Sequence, residues 1–156
     1  MSNQNGVYPC YKNQFQINTA TTGEAAMKTI ADCESFSVSF DNGVEEWHPF
    51  DTEGWVRRLL TSKGVTVSVT AKRNVGDAGN DFVAGLAWKN GRDSEADTQW
   101  TFPDGTMVKF MGAVINVTNV GSGDSTNVAP LEFEIQSNGK PEVTPAAWSA
   151  GIFMEA

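Results

Sequence analysis

Polar and apolar residues alternate one by one in three stretches of the chain, at residues 33–41, 65–72 and 131–136. Successive side chains of a strand point to opposite faces, so this period of two predicts three strands with one buried face each. The apolar positions are Phe36, Val38, Phe40, Val65, Val67, Val69, Ala71, Leu131, Phe133 and Ile135. The polar positions are Ser35, Ser37, Ser39, Thr66, Ser68, Thr70, Glu132, Glu134 and Gln136.

Other patterns predict the remaining elements. Residues 77–89 have apolar positions at helical spacing, with Asp77 or Asn80 as the N-cap. Residues 98–102 form a short strand, 103–105 (PDG) a hairpin turn and 106–120 a long return strand with a bulge near Gly112. With five or six strands and one short helix, the chain is predicted to be mainly β, a β-sandwich or barrel-like sheet with the helix on its flank.

The ends of the chain show weaker patterns. The length of 156 residues fits one domain. Residues 1–30 are expected to form an N-terminal arm and a first element, because their aromatic residues have no clean period. Residues 142–156 are expected to form a C-terminal tail, with Trp148 and Phe153 as the only large apolar side chains.

Residues 43–64 differ from the rest of the chain. The turn sequence at residues 41–43 (DNG) is expected to end the preceding strand, and Pro49 and Gly54 interrupt any long element. The segment is therefore predicted to be a long loop, of a length that is usually functional. It carries Trp47, Phe50 and Trp55, which an exposed loop does not need. Two interpretations remain open: a lid over its own sheet, or a contact with a neighbouring subunit.

Charge and cysteine content narrow the function classes. The formal net charge is −8, which argues against a protein that grips nucleic acid, since phosphate binding needs clustered Lys and Arg. No apolar stretch approaches the length of a membrane span, and residues 1–5 show no secretory signal. Cys10 and Cys33 are expected to be free thiols if the protein assembles inside a cell; an extracellular setting would favour a disulfide between them.

The search for catalytic or metal-binding residues is mostly negative. His48 is the only histidine, so neither a catalytic triad nor a zinc site is indicated. The acid pairs Glu45/Glu46 and Glu132/Glu134 are commonplace on solvated strands, and a glycosidase would also need a set separation. We therefore expect no enzymatic activity and no cofactor. Among the tryptophans, Trp88 and Trp100 are expected in the core, and only Trp47 and Trp55 suit an exposed aromatic surface.

Four short motifs recur here in a fixed order. They are a Ser62-Lys63-Gly64 step before a strand, Asp77 to Asp81 before the helix, Phe102 to Gly105 (FPDG) in a hairpin, and Leu131 to Pro141 (LEFEIQSNGKP) as a closing strand. In order and spacing, residues 34–88, 100–110 and 117–141 resemble the major tail tube proteins of long-tailed bacteriophages and prophages of Gram-positive bacteria. Residues 1–30 and the tail from 142 onward carry little of the resemblance.

The resemblance implies a structural virion protein. Such proteins form homo-hexameric rings that stack into a hollow tail tube, with long loops and terminal arms that bridge successive rings. The tube is the conduit for DNA ejection, and the genomic DNA passes through without specific binding. The implied partners are tape measure, tail tip and tail terminator proteins, and the implied location is the phage tail, assembled in the host bacterial cytoplasm.

The resemblance assigns a role to two sets of residues. The nine polar strand positions are predicted to face the lumen, and Trp47, Phe50, Trp55, Arg57 and Arg58 are predicted to form an inter-ring loop. Two alternatives remain: a tube protein of a type VI-like secretion system or tail-derived particle, and a carbohydrate-binding β-sandwich module that uses Trp47 and Trp55.

Overall fold

The computed structural model describes residues 6–20 and 23–145. These residues form eight β-strands, one α-helix and three short 3₁₀ turns. The strands are β1 (Gln14–Asn18), β2 (Met27–Thr29), β3 (Cys33–Trp47), β4 (Arg57–Lys72), β5 (Glu95–Thr101), β6 (Met107–Val120), β7 (Pro130–Gln136) and β8 (Glu142–Thr144); the helix α1 spans Ala78–Leu86. The predicted fold class, mainly β with one short helix, is confirmed.

All eight strands belong to one antiparallel sheet, in the order β2-β1-β5-β6-β7-β4-β3, with β8 paired to β6. The sheet curls so that strands near its two ends pack against each other. The ring of Phe15 on β1 lies 5.0 Å from that of Phe36 on β3, measured between centroids, and Phe36 lies 5.6 Å from Trp100 on β5. This curvature encloses the core.

The core follows the alternation of the strands. Val67 and Val69 on β4 and Leu131, Phe133 and Ile135 on β7 are almost fully buried, whereas their polar neighbours are partly accessible. The predicted bulge near Gly112 is confirmed, since β6 has one extra residue opposite β5 between Ala113 and Phe110. Gly112 has a φ of 63°, a conformation that favours glycine.

The helix is attached to the sheet by a polar network. Asp77 caps it as predicted, with its side chain accepting from the Asn80 N–H at 3.0 Å and from the Ala31 N–H at 3.1 Å. Asn80 is fully buried and donates to the carbonyls of Ala31 and Lys72 at 3.2 and 2.9 Å. Its side-chain oxygen accepts from the Asn74 N–H at 3.0 Å. These bonds fix α1 against the ends of β3 and β4.

The prediction that residues 43–64 form a long loop is wrong. β3 continues through residues 41–43 to Trp47 and pairs with β4 back from Arg57, so most of the segment is a β-hairpin. The Asp-Asn-Gly sequence makes no turn because Asn42 pairs with Lys63 and Gly43 with Ser62 in the ladder. Only residues 48–56 connect the two strands, through a 3₁₀ turn at Phe50–Thr52.

Other expectations also need correction. Trp88 is 86% exposed rather than in the core, because the helix ends at Leu86, before the predicted 89. The segment predicted as a C-terminal tail begins with β8, which adds to the sheet beside β6. Two strands, β1 and β2, lie in the first thirty residues. Trp100 lies in the core as predicted; Trp148 and Phe153 fall outside the described residues.

Candidate assembly surfaces

The structure brings the nine polar strand positions together on one face of the sheet. β4 lies between β3 and β7, and the registers of the two pairings place the residues in three straight rows across the three strands. The rows are Ser35–Thr70–Glu132, Ser37–Ser68–Glu134 and Ser39–Thr66–Gln136. We call this set the polar face. Its nine members are all partly or fully accessible, and the apolar residues that alternate with them face the core, apart from the exposed Phe40.

Amide groups hold the carboxylates of the polar face. Glu134 accepts from the side chain of Asn116 at 3.2 Å and from Gln136 at 3.0 Å. Glu132 accepts from the side chain of Asn119 at 3.3 Å. Asn116 and Asn119 lie on β6, opposite the two glutamates. These two asparagines extend the face by one strand, and sequence reasoning missed them although residues 115–118 (INVT) alternate between apolar and polar.

One cation borders the polar face. Lys72 follows Thr70 on the same side of β4, and its ammonium lies 3.1 Å from the carboxylate of Glu34, which occupies a bulge in β3. With Lys72 paired, Glu132 and Glu134 leave the face with a negative balance. A surface of hydroxyls, amides and carboxylates offers no cluster of free cations to a phosphate backbone.

Beyond the polar face, β3 and β4 continue as a two-stranded ribbon. β4 pairs with β7 only over residues 66–72, so residues 40–64 contact their own hairpin partner and project from the sheet. We call residues 40–64 the hairpin arm and residues 48–56 its tip. The ladder from Phe40 to Trp47 extends roughly 23 Å at the usual strand rise.

The hairpin arm exposes large apolar side chains over its whole length. Phe50 at the tip is fully exposed and Trp55 is 78% exposed. The other exposed apolar residues of the arm are Phe40, Val44, Trp47, Leu59 and Leu60. The lid interpretation is therefore wrong, because a lid would bury these side chains against its own sheet. A contiguous set of exposed apolar side chains of this kind is typical of an interaction surface.

The two arginines predicted to act in this segment differ in their surroundings. The Arg58 Nε donates to Glu46 at 2.8 Å within the same hairpin. This hydrogen bond, together with the charge of Arg58, lowers the pKa of the Glu46 carboxyl below its usual value. The Arg57 guanidinium lies 6.0 Å from the centre of the Trp47 ring. Among the described residues, no carboxylate forms an ion pair with Arg57, so its charge is available to another chain.

A groove of about 720 Å³ opens between β1 and the first half of β3. Its walls include Tyr11, Phe15, Phe36 and Val38, and both cysteines line it. Both are free thiols, as predicted; Cys10 is exposed. Burial, with smaller contributions from the charges of Asp32 and Asp77, raises the pKa of the Cys33 thiol to about 12. Cys33 is therefore a neutral thiol, and its Sγ donates to the Ile30 carbonyl at 3.5 Å.

Within residues 6–20 and 23–145, no three His, Cys, Asp or Glu side chains lie close enough to hold a metal ion. His48 is exposed at the arm tip. Within the same ranges, none of the helices has the length and apolar character that a membrane crossing requires.

The chain is similar to known proteins in its structure, and no similarity is found from its sequence. No family model matches the sequence, and no curated protein matches it. A solved structure described as the tail of an empty GTA particle with C6 symmetry matches with a TM-score of 0.68 and 16% identity, over 89% of this chain and 100% of that chain. The chain has a tail-tube-like fold.

Two further structures support the same fold. A chain from the virion of a native gene transfer agent (GTA) particle matches with a TM-score of 0.66 and 16% identity, over 89% of this chain and 100% of the other. A chain from the sheath–tube complex of an extracellular contractile injection system, PVC, in the extended state matches with a TM-score of 0.58 and 11% identity, over 88% and 91%. At these identities the likeness shows the fold alone.

Proposed function

We propose that this chain is a structural virion protein that self-assembles as hexameric rings stacked into the tail tube of a long-tailed phage, the conduit for DNA ejection. The tail-tube-like fold supports a tube subunit, and the C6 symmetry of the GTA tail it resembles supports six subunits in a ring. The sequence motifs favour a phage or prophage of Gram-positive bacteria. In this setting the protein resides in the virion and is assembled in the bacterial cytoplasm.

The polar face is the observation that carries this proposal. Three adjacent strands present three rows of small hydroxyls ending in Glu132, Glu134 and Gln136, and the same strands bury only apolar residues on the other side. We place this face on the wall of the lumen.

The composition of the polar face suits a conduit. A protein binds DNA chiefly by neutralising phosphates with Lys and Arg, which releases condensed counterions. Lys72 is already paired with Glu34, and the two partly accessible glutamates, Glu132 and Glu134, repel phosphate. DNA therefore meets a wall to which it does not adhere, and passes through without specific binding.

The hairpin arm is the contact between successive rings. Its exposed Phe50 and Trp55 have the character of interface anchors, since aromatic residues dominate binding energy when a partner desolvates them. The ribbon projects from the sheet along the direction of β3 and β4, where it reaches past the edge of its own subunit. Tape measure, tail tip and tail terminator proteins are the remaining partners of such a tube.

A second candidate has a specific observation in its favour. Chains of the PVC injection system match the same fold, with TM-scores of 0.58 and 0.57. A tube subunit of a tail-derived particle or type VI-like secretion apparatus would assemble through the same surfaces. The higher scores of the GTA chains, 0.68 and 0.66, favour the tail of a particle over an injection system.

The proposal is tested by charge reversal on the polar face. Purified Glu132→Lys/Glu134→Lys protein is compared with the unaltered protein by electron microscopy and by retention of DNA on assembled tubes. We expect tubes of normal appearance that now retain DNA at low salt. Loss of tubes would place the two residues in a contact between subunits and contradict a lumen position.

A further inference from the structure

The hairpin arm and the groove between β1 and β3 lie at opposite ends of one strand. The groove is built around Cys33 to Val38 at the start of β3, and the tip follows Trp47 at its end. Phe36 and Trp47 are separated by roughly 36 Å at the usual strand rise. The tip of a chain therefore cannot enter its own groove without a reversal of the ribbon.

The two surfaces have complementary chemistry. The groove has aromatic and aliphatic walls, from Tyr11, Phe15, Phe36 and Val38, and its volume of about 720 Å³ accommodates several large side chains. The tip presents Phe50 and Trp55, the two most exposed aromatic residues of the arm. Transfer of an aromatic side chain from water to an apolar site is strongly favourable. Binding of the tip in the groove would therefore remove apolar surface of both from water and lower the free energy.

One pair of charges supports the same match. Arg57, at the base of the tip, forms no ion pair in the part of the chain that the structure describes. Asp32 at the groove accepts a hydrogen bond from the neutral Asn74 amide at 2.6 Å. A guanidinium brought beside this carboxylate would add a charge-assisted contact.

The positions of the tip and the groove define how successive copies of the chain would be arranged. A contact whose halves are two different surfaces is heterologous, and it continues from copy to copy until it closes. When the two surfaces lie at opposite ends of a strand, each added copy is displaced along that strand. Stacking of subunits along one axis follows directly from this arrangement.

We infer that the groove between β1 and β3 receives the hairpin tip of a second copy of this chain, with Phe50 and Trp55 buried against Tyr11 and Phe36. This inference rests on the proposed function, because it names the surface of the next ring that the arm contacts. It adds a receptor site to which neither the sequence nor the comparisons assign a role.

Cys10, the exposed one of the two natural thiols in the groove, provides the test. Phe50→Cys places a second exposed thiol at the tip, and Asp51→Cys, also exposed, repeats the experiment with the Phe50 ring in place. Assembled protein is treated with a short bis-maleimide and analysed by denaturing electrophoresis and peptide mass spectrometry. We expect a ladder of covalent oligomers in which the introduced tip thiol is joined to Cys10. The ladder should be lost when Cys10→Ser is combined with either variant.

Trp88→Cys is the matched control, since Trp88 is also largely exposed but lies beyond the helix and outside both surfaces. It should give no ladder with Cys10. If the tip variants assemble but show no link between the tip thiol and Cys10, the inference is overturned. The proposed function as a tail tube subunit would not be affected by that result. In assembled protein, a Cys10 thiol that reacts only after removal of residues 146–156 would overturn the inference and assign the groove to that segment instead. Unaltered protein that never assembles, even with tail tip proteins supplied as initiators, would contradict the proposed function itself.

Discussion

Ser37 and Glu134 lie on the same face of the sheet, two strands apart, because both are in register with Ser68 on the strand between them. Serine hydroxyls and a carboxylate thus form a continuous surface from residues that are far apart in the chain. The rows before and after it have the same composition of hydroxyls and one longer polar side chain. This regularity makes the polar face the basis of the proposed function.

Charge reversal at Glu132 and Glu134 should change function without loss of the fold. Both side chains are partly accessible and accept from the side-chain amides of Asn119 and Asn116, so we expect each substitution to lower the unfolding free energy by about 1 kcal/mol or less. Urea unfolding checks the stability. Glu132→Gln/Glu134→Gln is the control, and its tubes should retain no DNA.

The hairpin tip should matter for assembly and not for folding. Phe50→Ser/Trp55→Ser removes two exposed aromatic rings, so we expect an unchanged unfolding midpoint and loss of tubes in sedimentation and electron microscopy. Trp88→Ser removes a similarly exposed ring elsewhere and should assemble normally. Normal tubes from the double variant would show that the tip is not an assembly contact.

Asn80 should be a main determinant of stability. Asn80→Ala leaves the partly buried carbonyls of Ala31 and Lys72 without the donor they now have. We expect a loss of about 2–4 kcal/mol in urea unfolding, since unsatisfied buried polar groups cost about 1–3 kcal/mol each. Asn116→Ala, which removes one exposed contact, should change stability by about 0.5 kcal/mol or less. Similar values for the two variants would contradict the role of this network.

Two glycines of the same helix should respond in opposite directions to alanine. A Cβ on Gly79 would lie 2.5 Å from the Thr29 carbonyl oxygen, a backbone atom that cannot easily move, so Gly79→Ala should destabilise. A Cβ on Gly85 would meet nothing within 4 Å. Gly85→Ala should therefore stabilise by about 0.5–1 kcal/mol through helix propensity. Thermal unfolding of the two variants measures whether each substitution raises or lowers the stability.

The two thiols should differ sharply in reactivity. Only the thiolate reacts quickly with maleimides, and burial raises the pKa of Cys33 to about 12. At pH 8 we expect one fast equivalent from Cys10, and a second only after unfolding. Because the folded pKa of Cys33 lies above its unfolded value, its contribution to stability is complete below the unfolded pKa and decreases as the pH rises toward about 12. Fast labelling of both thiols in folded protein would contradict this burial.

The alternation of residues predicted the polar face because each strand has one side in the core, which fixes the other side as accessible. The hairpin arm could not be predicted in the same way. Asn42-Gly43 is a strong turn signal, but long-range pairing with Ser62 and Lys63 overrides it. The exposure of Trp88 was not predicted because the helix ends at Leu86, and a period says nothing about a residue beyond the last turn.

The groove between β1 and β3 also could not be predicted from the sequence. Its walls come largely from β3, from β1 and from the 3₁₀ turn before β1. These segments lie near opposite ends of the sheet and meet only because the sheet curls. No local pattern in Tyr11 or Phe36 indicates that the two share a surface. Residues that act through such long-range contacts become visible only in the folded chain.

Electron microscopy of the purified protein over a range of concentrations tests the central claim most directly. Negative-stain images with symmetry averaging distinguish rings and tubes from single subunits. We predict hollow tubes built of stacked rings with six subunits each. Protein that remains monomeric at every concentration, even with tail tip proteins supplied as initiators, would contradict a tail tube subunit.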